Sequence, residues 1–150
     1  MNAINHYSLP VPKNALQRID RKSSPMHIGK LRNAVDFIVR ENTPVLAAAD
    51  GIVTFVKDDS YLGGPSIEYW QTSNFIVIQH ANDEYSRYDH LAYRSVTVWT
   101  GQSIKRGRAI ARVGMTGFTY IPHLHFQVHV FTGNNIWTDF DTLSVTEFSS

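Results

Sequence analysis

Residues 122–130 read "PHLHFQVHV", and this run limits the possible fold more than any other stretch of the chain. Leu124, Phe126, Val128 and Val130 alternate with His123, His125, Gln127 and His129. A period of two specifies a β-strand, because successive side chains leave opposite faces of the pleat. One face therefore enters a core. The other carries three imidazoles and an amide where Thr, Lys, Ser or Glu would serve solvent equally well.

The remaining segments read in the same language. "AVDFIV" (34–39) is β-rich, and "TPVLAAADGIVTFV" (43–56) predicts two strands joined as a hairpin at Asp50-Gly51. "NFIVIQH" (74–80) and "EYSRYDHL" (84–91) flank an Ala-Asn-Asp turn. "VTVWTGQSIKRGRAIARVG" (96–114) gives short strands punctuated by Gly101, Gly107 and Gly114. Helical periodicity is convincing nowhere, so the expected class is mainly β, a small antiparallel sheet domain. The length of 150 residues fits one domain. Residues 1–26, with Pro10, Pro12 and Pro25, are expected as an extended arm, 27–131 as the core, and 132–150 as an extension packed on it. Loops 57–73 and 115–121 carry aromatic residues and are expected to wall a cleft.

Composition removes several function classes. Lys and Arg number 14 against 13 Asp and Glu, without long charge runs, so neither a nucleic-acid partner nor an electrostatic membrane anchor is expected. The absence of cysteine excludes disulfides, thiolate zinc sites and cysteine nucleophiles. No run approaches the roughly 18 apolar residues of a membrane span. The opening "MNAINHYSLPVPKN" lacks the basic-then-apolar order of a signal peptide, and a monomer is expected.

Histidine and aspartate carry the chemistry. His123 and His125 share a strand face about 6.5–7 Å apart, so both can reach one ion, or one can bind while the other faces a substrate. Asp36 sits between Val35 and Phe37 inside an apolar strand, where lost hydration must be offset by a cation, a hydrogen-bond network or a metal. Arg32 or Arg40 is the plain partner; His27 lies upstream. "SRYDHL" adds His90, which alternation puts on one face with Tyr88, opposite Arg87, Asp89 and Leu91. Four histidines and a carboxylate exceed one tetrahedral ion. They fit a catalytic zinc centre, with three protein ligands, an open position and spare imidazoles to handle protons. Such a donor set suits zinc better than calcium or magnesium. His129, about 13 Å beyond His125 along the strand, is expected at the surface or rim. His80 is expected to be structural, and Asn74 and Tyr88 to contact substrate.

The order "HIGKLRNAVDF", "SRYDHL", "GMTGFTYIPHLHFQV" resembles the lysostaphin-type (LytM-type) zinc endopeptidases of peptidoglycan, over roughly residues 27–131. His27 and Asp36 are nine residues apart rather than four, which matches a branch whose strand starts Ala-hydrophobic-Asp-Phe. The resemblance implies a duplicated-hybrid-motif-like antiparallel β domain with a long cleft walled by loops. It implies that His27, Asp36 and His125 hold one Zn2+, with His90 and His123 on its open side. Without a His-Glu-x-x-His helix, the general base falls to an imidazole. His123 is assigned as base and His90 as oxyanion stabiliser, although the two roles are exchangeable at this level. The expected activity is hydrolysis of peptidoglycan cross-bridges or stem peptides, which would place the chain outside the cell or in the periplasm. Two rivals remain: a non-catalytic LytM-like domain that binds cell wall or regulates another hydrolase, and a biotinyl or lipoyl carrier. The first is opposed by five competent side chains at the site positions. The second would need Lys57 in a modification context that it lacks.

Overall fold

A computed structural model describes residues 1–22 and 24–150. In chain order its strands are β1 (Tyr7–Ser8), β2 (Arg18–Asp20), β3 (Val35–Ile38), β4 (Pro44–Leu46), β5 (Gly51–Lys57), β6 (Gly63–Gly64) and β7 (Phe75–Gln79). They continue as β8 (Tyr85–Asp89), β9 (Ser103–Ile104), β10 (Ala109–Arg112), β11 (Gly117–Phe118), β12 (His123–Phe131), β13 (Phe140–Leu143) and β14 (Phe148–Ser149). Among the described residues, helix is limited to short 3-10 turns. The fold is therefore mainly β, as the alternation in the sequence requires.

The main sheet runs β2-β3-β12-β8-β7-β5-β9, with β13 also paired to β12. The histidine strand lies at its centre. Residues His123–Phe126 pair with β3 and Val128–Phe131 with β13, while His125–His129 pair with β8 on the other edge. All of these pairings are antiparallel, and directly opposed residues share a face. Register sets Asp20 opposite Asp36, Asp36 opposite His125, and His125 opposite Asp89. One row across four strands thus holds three carboxylates and an imidazole.

The opposite face of β12 sends Leu124, Phe126 and Val128 into the core. Phe126 meets Tyr88, Phe37 and Phe148 edge-on, with ring centroids 5.3, 6.1 and 5.7 Å away. Val45, Ala47, Ile110 and Val113 from the β4-β10 pair and its flanks close the far side. The N-terminal segment does more than lie across the surface. Tyr7 and Val11 enter the core, β2 extends the main sheet, and β1 pairs in parallel with β14.

Several expectations are corrected. The His-Gln-His face of β12 is buried too: His123 through His129 are all at most 9% exposed. Period two reports a difference between faces, and here the difference is chemical rather than one of solvent access. The Asp50-Gly51 hairpin does not form, since β4 pairs with β10 while β5 pairs with β7 and β9. Gly51 is needed for close approach, because a Cβ there would lie 2.3 Å from the Gln79 carbonyl oxygen. Residues 96–99 form no strand, although Thr97 N–H donates to Ile110 O. The Ala81–Asp83 turn does link β7 to β8, with Asn82 and Asp83 at φ 61° and 53°, a conformation that Asn and Asp tolerate.

Gly51→Ala is expected to destabilise the fold by about 1–3 kcal/mol, as overpacking does when backbone must move. Urea denaturation checks this, and an unchanged midpoint would contradict the close-approach explanation.

Candidate metal centre

The turn between β2 and β3 brings His27 over the row that Asp36 and His125 occupy. His27 Nε2 lies 3.2 Å from Asp36 Oδ1, and His125 Nδ1 lies 3.5 Å from the same oxygen. His123 Nε2 approaches it at 3.7 Å. All four side chains are buried.

Hydrogen bonds on the far side of each ring set where its proton resides. His27 Nδ1 is 3.0 Å from Arg21 O, and His123 Nδ1 is 2.8 Å from Ile121 O. A carbonyl only accepts, so both rings carry N–H at Nδ1 and turn a lone pair at Nε2 toward Asp36. His125 Nε2 is 3.0 Å from Gln127 Oε1, which leaves Nδ1 as the lone pair facing Asp36. Three imidazole lone pairs therefore converge on one carboxylate oxygen, an arrangement that repels itself unless a cation lies between. His27 Nε2 and Asp36 Oδ1 are both buried without a hydrogen-bond partner among the described residues.

These donors fit zinc. The ligand atoms of His27, Asp36 and His125 all lie within 4.8 Å of one another. A tetrahedral ion with bonds of about 2.0–2.1 Å needs donors about 3.3–3.4 Å apart, close to the two contacts on Asp36. Second partners on the imidazoles fix ring orientation as they do in zinc proteins generally. Burial would raise the Asp36 carboxyl, but the neighbouring His125, His27 and His123 rings outweigh it and hold the group well below the usual carboxylate range. Burial opposes charge on His125, yet Asp36 wins and raises that ring.

His90 reaches the same site by breaking alternation. Its φ is 68°, and this left-handed step swings the ring from the Tyr88 side to the Asp89 side. Its Nδ1 bonds to Thr116 O at 2.7 Å, and its ring lies 4.7 Å from His123 and 6.0 Å from His125, centroid to centroid. Burial, then the neighbouring His123, lowers its pKa to about 3; burial also lowers His123. Arg87 and Asp89 face the site as well, contrary to the sequence reading. Arg87 grips Asp89 through two bonds of 2.6 and 3.1 Å and lies 3.7 Å over the Phe75 ring. Burial would raise Asp89, but Arg87 brings it down to about 2.

The site opens into a cleft of about 350 Å3. Trp70, Tyr120 and Trp137, 52%, 63% and 41% exposed, line it from separate loops. The two loops expected as walls are joined to each other by the parallel β6-β11 pair. Asn74 and Tyr88, expected to touch substrate, are instead both 0% exposed. Asn74 braces the loop through Ser60 and Leu91, and the Tyr88 hydroxyl accepts from Ala48 N–H on the core side. His129, expected at the rim, is 2% exposed. His80 is structural, bonded to Asp50 O and Ser86 Oγ at 2.7 Å each. Lys57 pairs with Asp59 at 2.8 Å.

An antiparallel β domain with a His-Asp-His donor set at the floor of a cleft defines a metallopeptidase type of site. The chain belongs to Peptidase family M23, whose family model matches residues 30–137. Peptidoglycan DD-endopeptidase ShyA of Vibrio cholerae serotype O1 is 36% identical over 98 residues, which is 65% of this chain and 20% of that protein. The chain spans about a fifth to a quarter of the length of the curated relatives it matches. A zinc-containing peptidase from Vibrio cholerae superposes with TM-score 0.59 at 32% identity, covering 83% of this chain and 36% of that one. The catalytic domain of lysostaphin from Staphylococcus simulans gives 0.56 at 25% identity, covering 91% and 85%.

Asp36→Ala and His125→Ala are expected to lose zinc, whereas His90→Ala and His123→Ala retain it. Metal analysis of the four purified variants checks this, and the reverse pattern would contradict the ligand set. Stability of the metal-free chain should also fall with acid. His90 and His129 are both lowered to about 3 from an ordinary 6.5, His90 by burial and then His123, His129 by burial and then Arg87. Below pH 6.5 the unfolded chain therefore binds more protons than the folded one. Their contribution is full above pH 6.5 and declines toward pH 3; His125, raised, opposes them. Urea midpoints that stay flat from pH 7 to 4 would contradict the buried neutral rings.

Proposed function

We propose that the chain is the catalytic domain of a zinc endopeptidase that cleaves D,D-cross-links between peptidoglycan stem peptides. The observation that carries this reading is the convergence of three imidazole lone pairs on the Asp36 carboxylate at the floor of a cleft. Relatives named as peptidoglycan DD-endopeptidases favour stem-peptide cross-links over glycine bridges.

His27, Asp36 and His125 would hold the ion. When bound, zinc polarises a carbonyl and lowers the pKa of water toward neutrality. His123, its N–H committed to Ile121 O, offers Nε2 to accept a proton from attacking water and return it to the leaving amine. His90, its N–H committed to Thr116 O, likewise offers a lone pair. It becomes a donor to a developing oxyanion only after taking up a proton, so proton transfer and charge stabilisation are coupled in this pair. Burial keeps both rings neutral near pH 7, the form that accepts protons. Trp70, Tyr120 and Trp137 offer flat apolar faces to a peptide and restrict water around the reacting bond. Retention of both imidazoles with inward lone pairs favours an enzyme over a non-catalytic wall-binding domain.

Digestion of D,D-cross-linked muropeptide dimers should yield monomers, stop with chelator and resume with zinc. His123→Ala should lower kcat by about 10²–10⁴ while zinc stays bound. Mass spectrometry of the products checks both, and cleavage confined to glycine bridges would contradict the substrate assignment.

A further inference from the structure

The polar ladder of β12 continues beyond the metal centre. Gln127 and His129 follow His125 at two-residue spacing, and each is 2% exposed. The proton transfers proposed above do not use them, although burying polar groups this deeply is costly unless their bonds are satisfied. His125 Nε2 lies 3.0 Å from Gln127 Oε1, and Gln127 Nε2 lies 3.2 Å from His129 Nδ1.

A carboxamide has two unlike ends, and which end faces His125 matters. With Oε1 toward it, His125 must carry its proton on Nε2, and Nδ1 is free to face Asp36. Turned over, the amide would donate to Nε2, move the ring proton to Nδ1 and block that donor. An acceptor at His129 Nδ1 holds the amide the productive way round before any ion is bound. That requires the His129 proton on Nε2, which is buried with no hydrogen-bond partner among the described residues. Around this ring stand Tyr85, stacked at 5.8 Å, Phe131, edge-on at 4.8 Å, and Phe140 at 5.2 Å. Aromatic surroundings tolerate an N–H, whose positive end is drawn to π density, better than a bare lone pair. The tautomer is thus set in sequence: aromatic box, His129, Gln127, His125.

We propose that His129 is a positioning residue that acts through Gln127 to fix the ring tautomer of His125 and so presents its Nδ1 to zinc. The inference rests on the reading of His27, Asp36 and His125 as metal ligands. Zinc affinity, measured by competition with a chromophoric chelator on the whole chain, tests it without any peptide substrate. His129→Phe, which keeps an aromatic ring but no acceptor, should weaken zinc binding roughly 10-fold, as loss of an outer partner does. Gln127→Glu should then restore it, because both carboxylate oxygens accept and no orientation is needed. Its gain should be larger in the His129→Phe background than in the wild type. Unchanged affinity in His129→Phe, or a loss that Gln127→Glu does not repair, would overturn the relay and leave His129 as packing. A wild-type chain that bound no zinc would instead overturn the ligand set beneath it. Long-range 15N–1H NMR of the zinc-loaded wild type needs no variant: the His129 proton should sit on Nε2, and a proton on Nδ1 would overturn the proposal.

Discussion

A buried carboxylate oxygen faced by three imidazole nitrogens is the interaction on which the rest of this molecule depends. Asp36 Oδ1 receives His27, His125 and His123 at 3.2, 3.5 and 3.7 Å, and no hydrogen bond among the described residues satisfies it. Such a cluster is stable only around a positive charge. Arg21 O, Ile121 O and Gln127 Oε1 occupy the outward nitrogens and direct each lone pair inward. These two carbonyls and one carboxamide thereby prepare the donors before any ion arrives, which reduces the reorganisation that binding would otherwise require.

The sheet makes this affordable in structural terms by burying both faces of its longest strand. One side of β12 fills the core with Leu124, Phe126 and Val128, while the other carries the His-Gln-His ladder. On that side Arg87 is locked to Asp89 and stacked on Phe75. The same burial holds the pKa of the His90 and His123 rings down and so keeps both neutral in the resting site.

Much of this was legible in the sequence. Alternation in "PHLHFQVHV" located the central strand, and an aspartate between Val35 and Phe37 flagged a carboxylate whose lost hydration a cation, a hydrogen-bond network or a metal must offset. Both signals are local, and the antiparallel register joins them, since Asp36 stands directly opposite His125. Other features were not legible because tertiary context decides them. A period of two cannot say whether the polar face meets solvent or a second layer, so the rim position it suggests for His129 differs from the buried one it holds. The left-handed φ of His90 reverses its face, and no residue pattern announces that step. Tyr88 and Asn74 look like cleft residues in one dimension but are spent on the core and on loop bracing. Asp50-Gly51 carries hairpin chemistry, yet its glycine serves close strand packing instead.

Zinc K-edge X-ray absorption of the chain loaded with one equivalent of metal tests the central claim most directly. The account predicts a first shell of two imidazole nitrogens and oxygen donors, one of them from Asp36, with an oxygen-bound open position. Three or four imidazoles in that shell, or a spectrum unchanged by Asp36→Ala, would contradict it.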